Sequence, residues 1–217
     1  MRMPPVLMLI LLFAGCPNPT SLGNNPNALP PVEDLPLDPD GLAAALTLCP
    51  DIEAPCLLLA QAHAESLAVD PIVEGSSLGV FNAGQGGVAT WVTLIAHNVP
   101  LSNPTTWVAL TTGPTAHNLP GTLKVPFNEV GDGSVARTQF MVQFMTPCCA
   151  QDFVDLPAQI EVHATWDDCE GLGSPCGDAC ENDESCPAGY LCEEAECRLD
   201  TLVLQIPILL NEAPWPL

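Results

Sequence analysis

The chain has 217 residues, with 26 acidic side chains against four basic ones, a formal net charge of -22 and only 5% aromatic residues. Such a chain cannot neutralise phosphates, which excludes nucleic-acid partners, and an anionic lipid surface repels it. The length leaves room for one domain of ordinary size, and its core must be aliphatic.

The first element is a leader. Arg2 is followed by the apolar run Val6-Leu7-Met8-Leu9-Ile10-Leu11-Leu12-Phe13 and by the small pair Ala14-Gly15. A charged start, a short apolar stretch and a small-residue cleavage site predict a signal peptide over residues 1–15. The run is too short to span a bilayer. The segment Phe13-Ala14-Gly15-Cys16 resembles the lipobox of bacterial lipoproteins. That resemblance implies cleavage before Cys16 and lipidation there, palmitate included, with acyl chains enough for stable membrane attachment. Pro17 in place of Asp resembles the outer-membrane sorting pattern, so the expected location is the bacterial envelope, at the outer membrane or cell surface. Ten cysteines remain beyond Cys16, an even number, which in an exported chain predicts disulfides.

Residues 16–37 are rich in Pro, Asn and Gly and bury nothing, as expected of a lipidated tether. Residues 38–70 are read as a short helical segment. Asp38 is an N-cap and Pro39 sits at the first helical position, followed by Leu42, Ala45 and Leu46. A second helix is expected from Pro55 to about Leu67. Cys49 and Cys56 would lie about 10.5 Å apart on one continuous helix, beyond the roughly 7 Å that a disulfide allows. Pro50 and Pro55 break the helix between them, so a staple between two helical pieces is expected.

Residues 71–217 are read as a β-sandwich of about seven strands. Val88–Ile95 and 105–110 are rich in β-branched residues. Phe140, Val142 and Phe144 alternate with Met141, Gln143 and Met145. Ile160, Val162, Ala164 and Trp166 alternate with Glu161, His163 and Thr165. Leu202, Leu204, Ile206 and Ile208 make a last strand, and weaker candidates lie at 77–82 and 121–126. Turn signals and the lack of intervening helices predict a mainly β, antiparallel fold. The stretch Leu78-Gly79-Val80-Phe81 to Gly87, with the following strand and Asn98, resembles the opening of immunoglobulin-like domains of the Hydin and abnormal-spindle type. Phe140 to Pro147 resembles a later strand of theirs. The resemblance implies an immunoglobulin-like sandwich.

A cysteine-rich insert occupies residues 169–197, with Cys169, Cys176, Cys180, Cys186, Cys192 and Cys197. So few residues build no apolar core of their own, so disulfides or a metal must hold them. The spacing lacks paired Cys-x-x-Cys knuckles, which disfavours zinc. Cys180 to Cys192 resembles the knots of Dickkopf-like extracellular modules, which implies a secreted disulfide module. Adjacent Cys148 and Cys149 point to opposite faces if they lie in a strand, and so serve two disulfides; Cys169 is one candidate partner. Eight cysteines here allow 105 pairings, which stay open. Asp178, Glu181, Asp183, Glu184, Glu193, Glu194 and Glu196 could serve calcium, although the spacing is not that of an EF-hand and solvated surface explains them as well. The insert is expected to contact mainly itself.

No catalytic constellation stands out, and no cofactor or metal is expected. Gly75-Ser76-Ser77-Leu78-Gly79 matches a nucleophile-elbow string but precedes a strand rather than a helix. His63, His97, His117 and His163 lack metal spacing, and His163 lies on the polar side of its strand. Asp167-Asp168 reads as a strand-end turn, and Trp91, Trp107 and Trp166 read as core rather than as a sugar platform. The expected role is a lipid-anchored binding or structural module without catalysis. Its partners would be the membrane through Cys16 and another envelope protein or a surface ligand. The alternatives are a calcium-dependent adhesin and a hydrolase with a dispersed site.

Overall fold

The structure is a computed structural model that describes residues 37–61, 68–82, 88–100, 104–112, 115–116, 123–124, 127–131, 133–144, 150–166 and 177–212. The expected leader, Cys16, the tether up to residue 36, and Cys148, Cys149, Cys169 and Cys176 lie outside them. Leu37, at the tether's end, is buried against the core.

Helix α1 is Pro39–Leu46, and Asp38 caps it by accepting a 3.0 Å hydrogen bond from the Gly41 amide. Leu42, Ala45 and Leu46 face inward. At Gly41 a Cβ would meet Val69 at 3.2 Å, so glycine lets the helix approach that residue closely.

The second helix does not form. Cys56–Gln61 is strand β1, paired with β2 (Asp70–Pro71) at its far end. Cys56-Leu57-Leu58-Leu59-Ala60 is an unbroken apolar run, which periodicity cannot assign between helix and strand. Its neighbours decide it, because the strand is buried on both faces. Leu57 and Leu59 enter the main core, while Cys56, Leu58 and Ala60 pack with Leu42 and Ala45 of α1. The Cys49–Cys56 disulfide forms as expected, with Cα atoms 5.9 Å apart, but it joins a helix end to a strand.

The remaining strands are β3 (Ser77–Asn82), β4 (Val88–His97), β5 (Thr105–Thr112), β6 (Thr115–Ala116), β7 (Leu123–Lys124), β8 (Asn128–Gly131), β9 (Ser134–Phe144), β10 (Pro157–Thr165), β11 (Tyr190–Glu193), β12 (Glu196–Leu199) and β13 (Leu202–Glu212). The fold is mainly β. One ladder runs β2-β1-β4-β9-β8. The other runs β13-β10-β5, with β6 and β7 pairing along β5.

Strand β3 joins the two. Its residues 81–82 pair antiparallel with β4, and residues 77–80 pair with 209–212 of β13 in parallel. The sheet is therefore mixed, which corrects the expectation of a purely antiparallel fold. The physical reason is that β3 and β13 are far apart in sequence and need no tight turn between them. Both ladders feed one apolar cluster, including Val92 and Leu94 of β4, Leu110 of β5, Ile160 and Val162 of β10, and Ile208 of β13. Helix α1 and Leu37 cover the opposite side of β1 and β4. Among the described residues no helix is long and apolar enough to cross a membrane.

The insert is not indifferent to this core. β11 and β12 form a hairpin, and Cys180, Tyr190, Cys197 and Leu199 are buried in the same cluster as the strands of both ladders. Gly189, at φ +86°, brings the backbone so close to Pro55 that a Cβ there would meet its ring at 3.0 Å. The contacts of the hairpin are mainly internal, as expected, but it does not stand apart: a hairpin of this size has too little apolar surface to fold unaided and adds its buried side chains to the larger core.

Candidate binding face

Strand register builds the site. In β10, Glu161, His163 and Thr165 alternate with buried Ile160, Val162 and Ala164. Directly opposite residues on antiparallel strands share a face. His163 lies opposite both Trp107 on β5 and Val203 on β13, and Glu161 opposite Ala109 and Gln205. The outer face of the β5-β10-β13 ladder therefore carries a row of Trp, His and Val beside a row of Ala, Glu and Gln. Val203 is 52% exposed and Leu209 44% exposed.

A depression of about 400 Å³ opens on this face, lined by Thr105, Trp107, Glu161, His163, Thr165 and Thr201. The His163 Nε2 is 2.5 Å from Glu161 Oε1. The Trp107 and His163 rings meet nearly perpendicular, with centroids 4.7 Å apart. The Thr165 and Thr201 hydroxyls are 2.9 Å apart. The hydrogen bond from His163 holds the Glu161 carboxyl below its usual range, against partial desolvation, with help from a hydrogen bond to Gln205 and from the charge of His163. Glu161 is thus an ionised acceptor at neutral pH. The arrangement offers an aromatic surface, an oriented carboxylate, an imidazole and three hydroxyls.

Trp91 stacks on Phe81 at 6.3 Å beside buried Ala89. Trp166 is buried against Phe127. Trp166 follows the reading of tryptophans as core, whereas Trp91 is half-buried opposite exposed Met141. Trp107 departs from that reading, because its place opposite His163 sets it on the outer face. Sequence reasoning could have found this from the alternation of 105–110, where Thr106 and Val108 are buried and Trp107 only partly so.

His97 and Ser134 form the second constellation, and the sequence did not suggest it. The His97 Nδ1 is 2.8 Å from Ser134 Oγ and its Nε2 is 3.1 Å from the Ile52 carbonyl. A carbonyl only accepts, so Nε2 carries a proton, and in the Nε2–H tautomer the Ser134 hydroxyl donates to Nδ1. Ser134 has no exposed surface. It cannot meet a substrate while β9 stays paired with β4. The pair is a structural pin, joined by the Asn98 side chain donating to the Glu53 carbonyl, and it fastens the loop before β1 to the sheet.

At the elbow string, Ser76 Oγ accepts from the Val73 amide at 3.0 Å and Ser77 opens β3, so a turn and a strand stand where a nucleophile would need a helix. His63, His117, Asp167 and Asp168 lie outside the described residues. In the insert, disulfides join Cys180 to Cys192 and Cys186 to Cys197, with Cα atoms 5.8 and 5.6 Å apart. Cys180, Cys186 and Cys197 are clustered closely enough to hold a metal, but each sulfur is already spent in these bonds. Asp183 accepts from the Cys192 amide at 2.8 Å, so this carboxylate braces the hairpin. Among the described residues, no three carboxylates converge as a metal-binding group.

Comparison with protein-family models, curated proteins and solved structures finds no match to this chain.

Proposed function

We propose that the protein is a binding module of the bacterial cell envelope, anchored through lipid on Cys16 and non-catalytic. Its scaffold is an immunoglobulin-like sandwich, and its ligand lies on the outer face of β5, β10 and β13. The lipobox-like segment before Cys16 supports the anchor. The strand β3 shared between two ladders, with one apolar cluster fed by both, supports the sandwich. The disulfides are in keeping with an oxidising compartment outside the cytoplasm. The observation that carries the reading is the open depression around Trp107, Glu161 and His163, on strands whose other side is packed core. A site on rigid strands holds its groups in place before a ligand arrives, which lowers the ordering cost of binding.

Two substitutions test it. Cys16→Ser in the full chain should abolish palmitate labelling and release the protein from membranes; a labelled, membrane-bound variant would overturn the anchor. Val203→Arg places a bulky cation on an exposed site beside His163. In the released form it should lose retention on envelope material from the producing cells, while Glu129→Arg, at an exposed position of β8 in the other ladder, should not. Equal retention of both variants would overturn the assignment of the face.

A further inference from the structure

We infer that the depression on β5, β10 and β13 binds a neutral carbohydrate, with one pyranose ring stacked on Trp107 and its hydroxyls bonded by Glu161, His163 and the threonines. This inference rests on the binding-module reading and names the class of ligand for that same face.

A pyranose has an apolar C–H face and an equatorial ring of hydroxyls that both donate and accept. Its complement is one aromatic surface flanked by acceptors and donors that lie near one plane. Trp107 is the only tryptophan among the lining residues, and it stands directly opposite His163. One register step away is Glu161, whose carboxylate is held by His163 at Oε1 and also bonded by Gln205, and whose remaining lone pairs can accept from sugar hydroxyls. Thr105, Thr165 and Thr201 line the depression, and the Thr165–Thr201 hydroxyl pair keeps acceptor lone pairs and one donor beyond its mutual bond. The volume of about 400 Å³ is within the range of small-molecule sites.

Charge narrows the class. The chain carries a net charge of -22 and the site an ionised carboxylate, which disfavours uronates, phosphates and sulfated sugars. A cationic ligand is favoured at long range but poorly served at close quarters. The imidazole of His163 already holds Glu161 Oε1, the charge that a cation would have to pair with.

The test uses the full chain carrying Cys16→Ser. Isothermal titration against maltohexaose, cellohexaose, xylohexaose and mannohexaose, all with vicinal diols, is paired with retention on envelope material treated with periodate, which cleaves those diols, or with protease. We expect periodate to remove retention and protease to leave it. We also expect any hexasaccharide that binds to be weakened about tenfold or more by Trp107→Ala, less by Trp107→Phe, and by Glu161→Gln. Each variant is checked for a native β spectrum, and Val203→Arg serves should Trp107→Ala not fold. Retention that resists periodate but is lost with protease and with Val203→Arg would overturn the carbohydrate and leave the face standing. Retention or titration indifferent to Val203→Arg would overturn both.

Discussion

At Ser134 and His97 two polar side chains are buried together, and each satisfies the other. Removing the hydroxyl leaves a buried acceptor on Nδ1 without a donor, which costs about 1–3 kcal/mol. Ser134→Ala should therefore lower the unfolding free energy by that much, read as a lower denaturant midpoint at unchanged slope. The native serine should resist fluorophosphonate labelling under native conditions; rapid labelling would revive the hydrolase reading. Glu161 behaves differently because it faces solvent in part. Its folded-state pKa is lowered, so its contribution to stability is complete above the usual glutamate value, about 4.3, and is lost as pH falls through the lowered folded value. The stability difference between the wild type and Glu161→Gln should thus be largest near neutrality and shrink in acid. A difference that grows below pH ~4 would contradict the assigned direction. The outward position of both Glu161 and His163 was legible from the alternation of β10. Their meeting with Trp107 was not, because register between strands 50 residues apart is set by packing rather than by local pattern.

Among the elements, the β11-β12 hairpin is the most strained. Its two-residue turn is Glu194-Ala195, at φ 52° and 66°, a conformation that side chains bearing a Cβ adopt at a cost. Glu193 and Glu196 also face one another across the turn as like charges. Glu194→Asn with Ala195→Gly should relieve the backbone strain and raise stability by about 1 kcal/mol, read as a higher thermal midpoint with unchanged disulfides. A lowered midpoint would mean that the turn is held by contacts of these side chains. Helix α1 and the strands β4, β5, β9, β10 and β13 were legible because capping residues, β-branched content or alternation announced them. β1 was not, since Leu57, Leu58 and Leu59 are all apolar, and only coverage from both sides made the run a strand. β2, β6 and β8 are too short to carry a period.

For the molecule as a whole, the insert lends buried side chains to the core. Replacing residues 170–196 by an Asn-Gly turn, with Cys169 and Cys197 also changed, removes Tyr190 and the Gly189 contact with Pro55. Truncation of a buried aromatic alone costs about 3 kcal/mol or more, so the excised protein should unfold at a clearly lower denaturant concentration. An unchanged midpoint would restore the view of an autonomous insert. Local chemistry in the chain by itself determined the mainly β character, the acidic surface, the cap of α1 and the disulfide dependence. These follow from spacing, composition and charge, which act between near neighbours. Only the tertiary structure decided the parallel pairing of β3 with β13, the strand at 56–61, the docking of the insert and the outward setting of Trp107. Each of those depends on which distant apolar surfaces bury one another, and that free energy is shared across the whole core rather than written in any one segment.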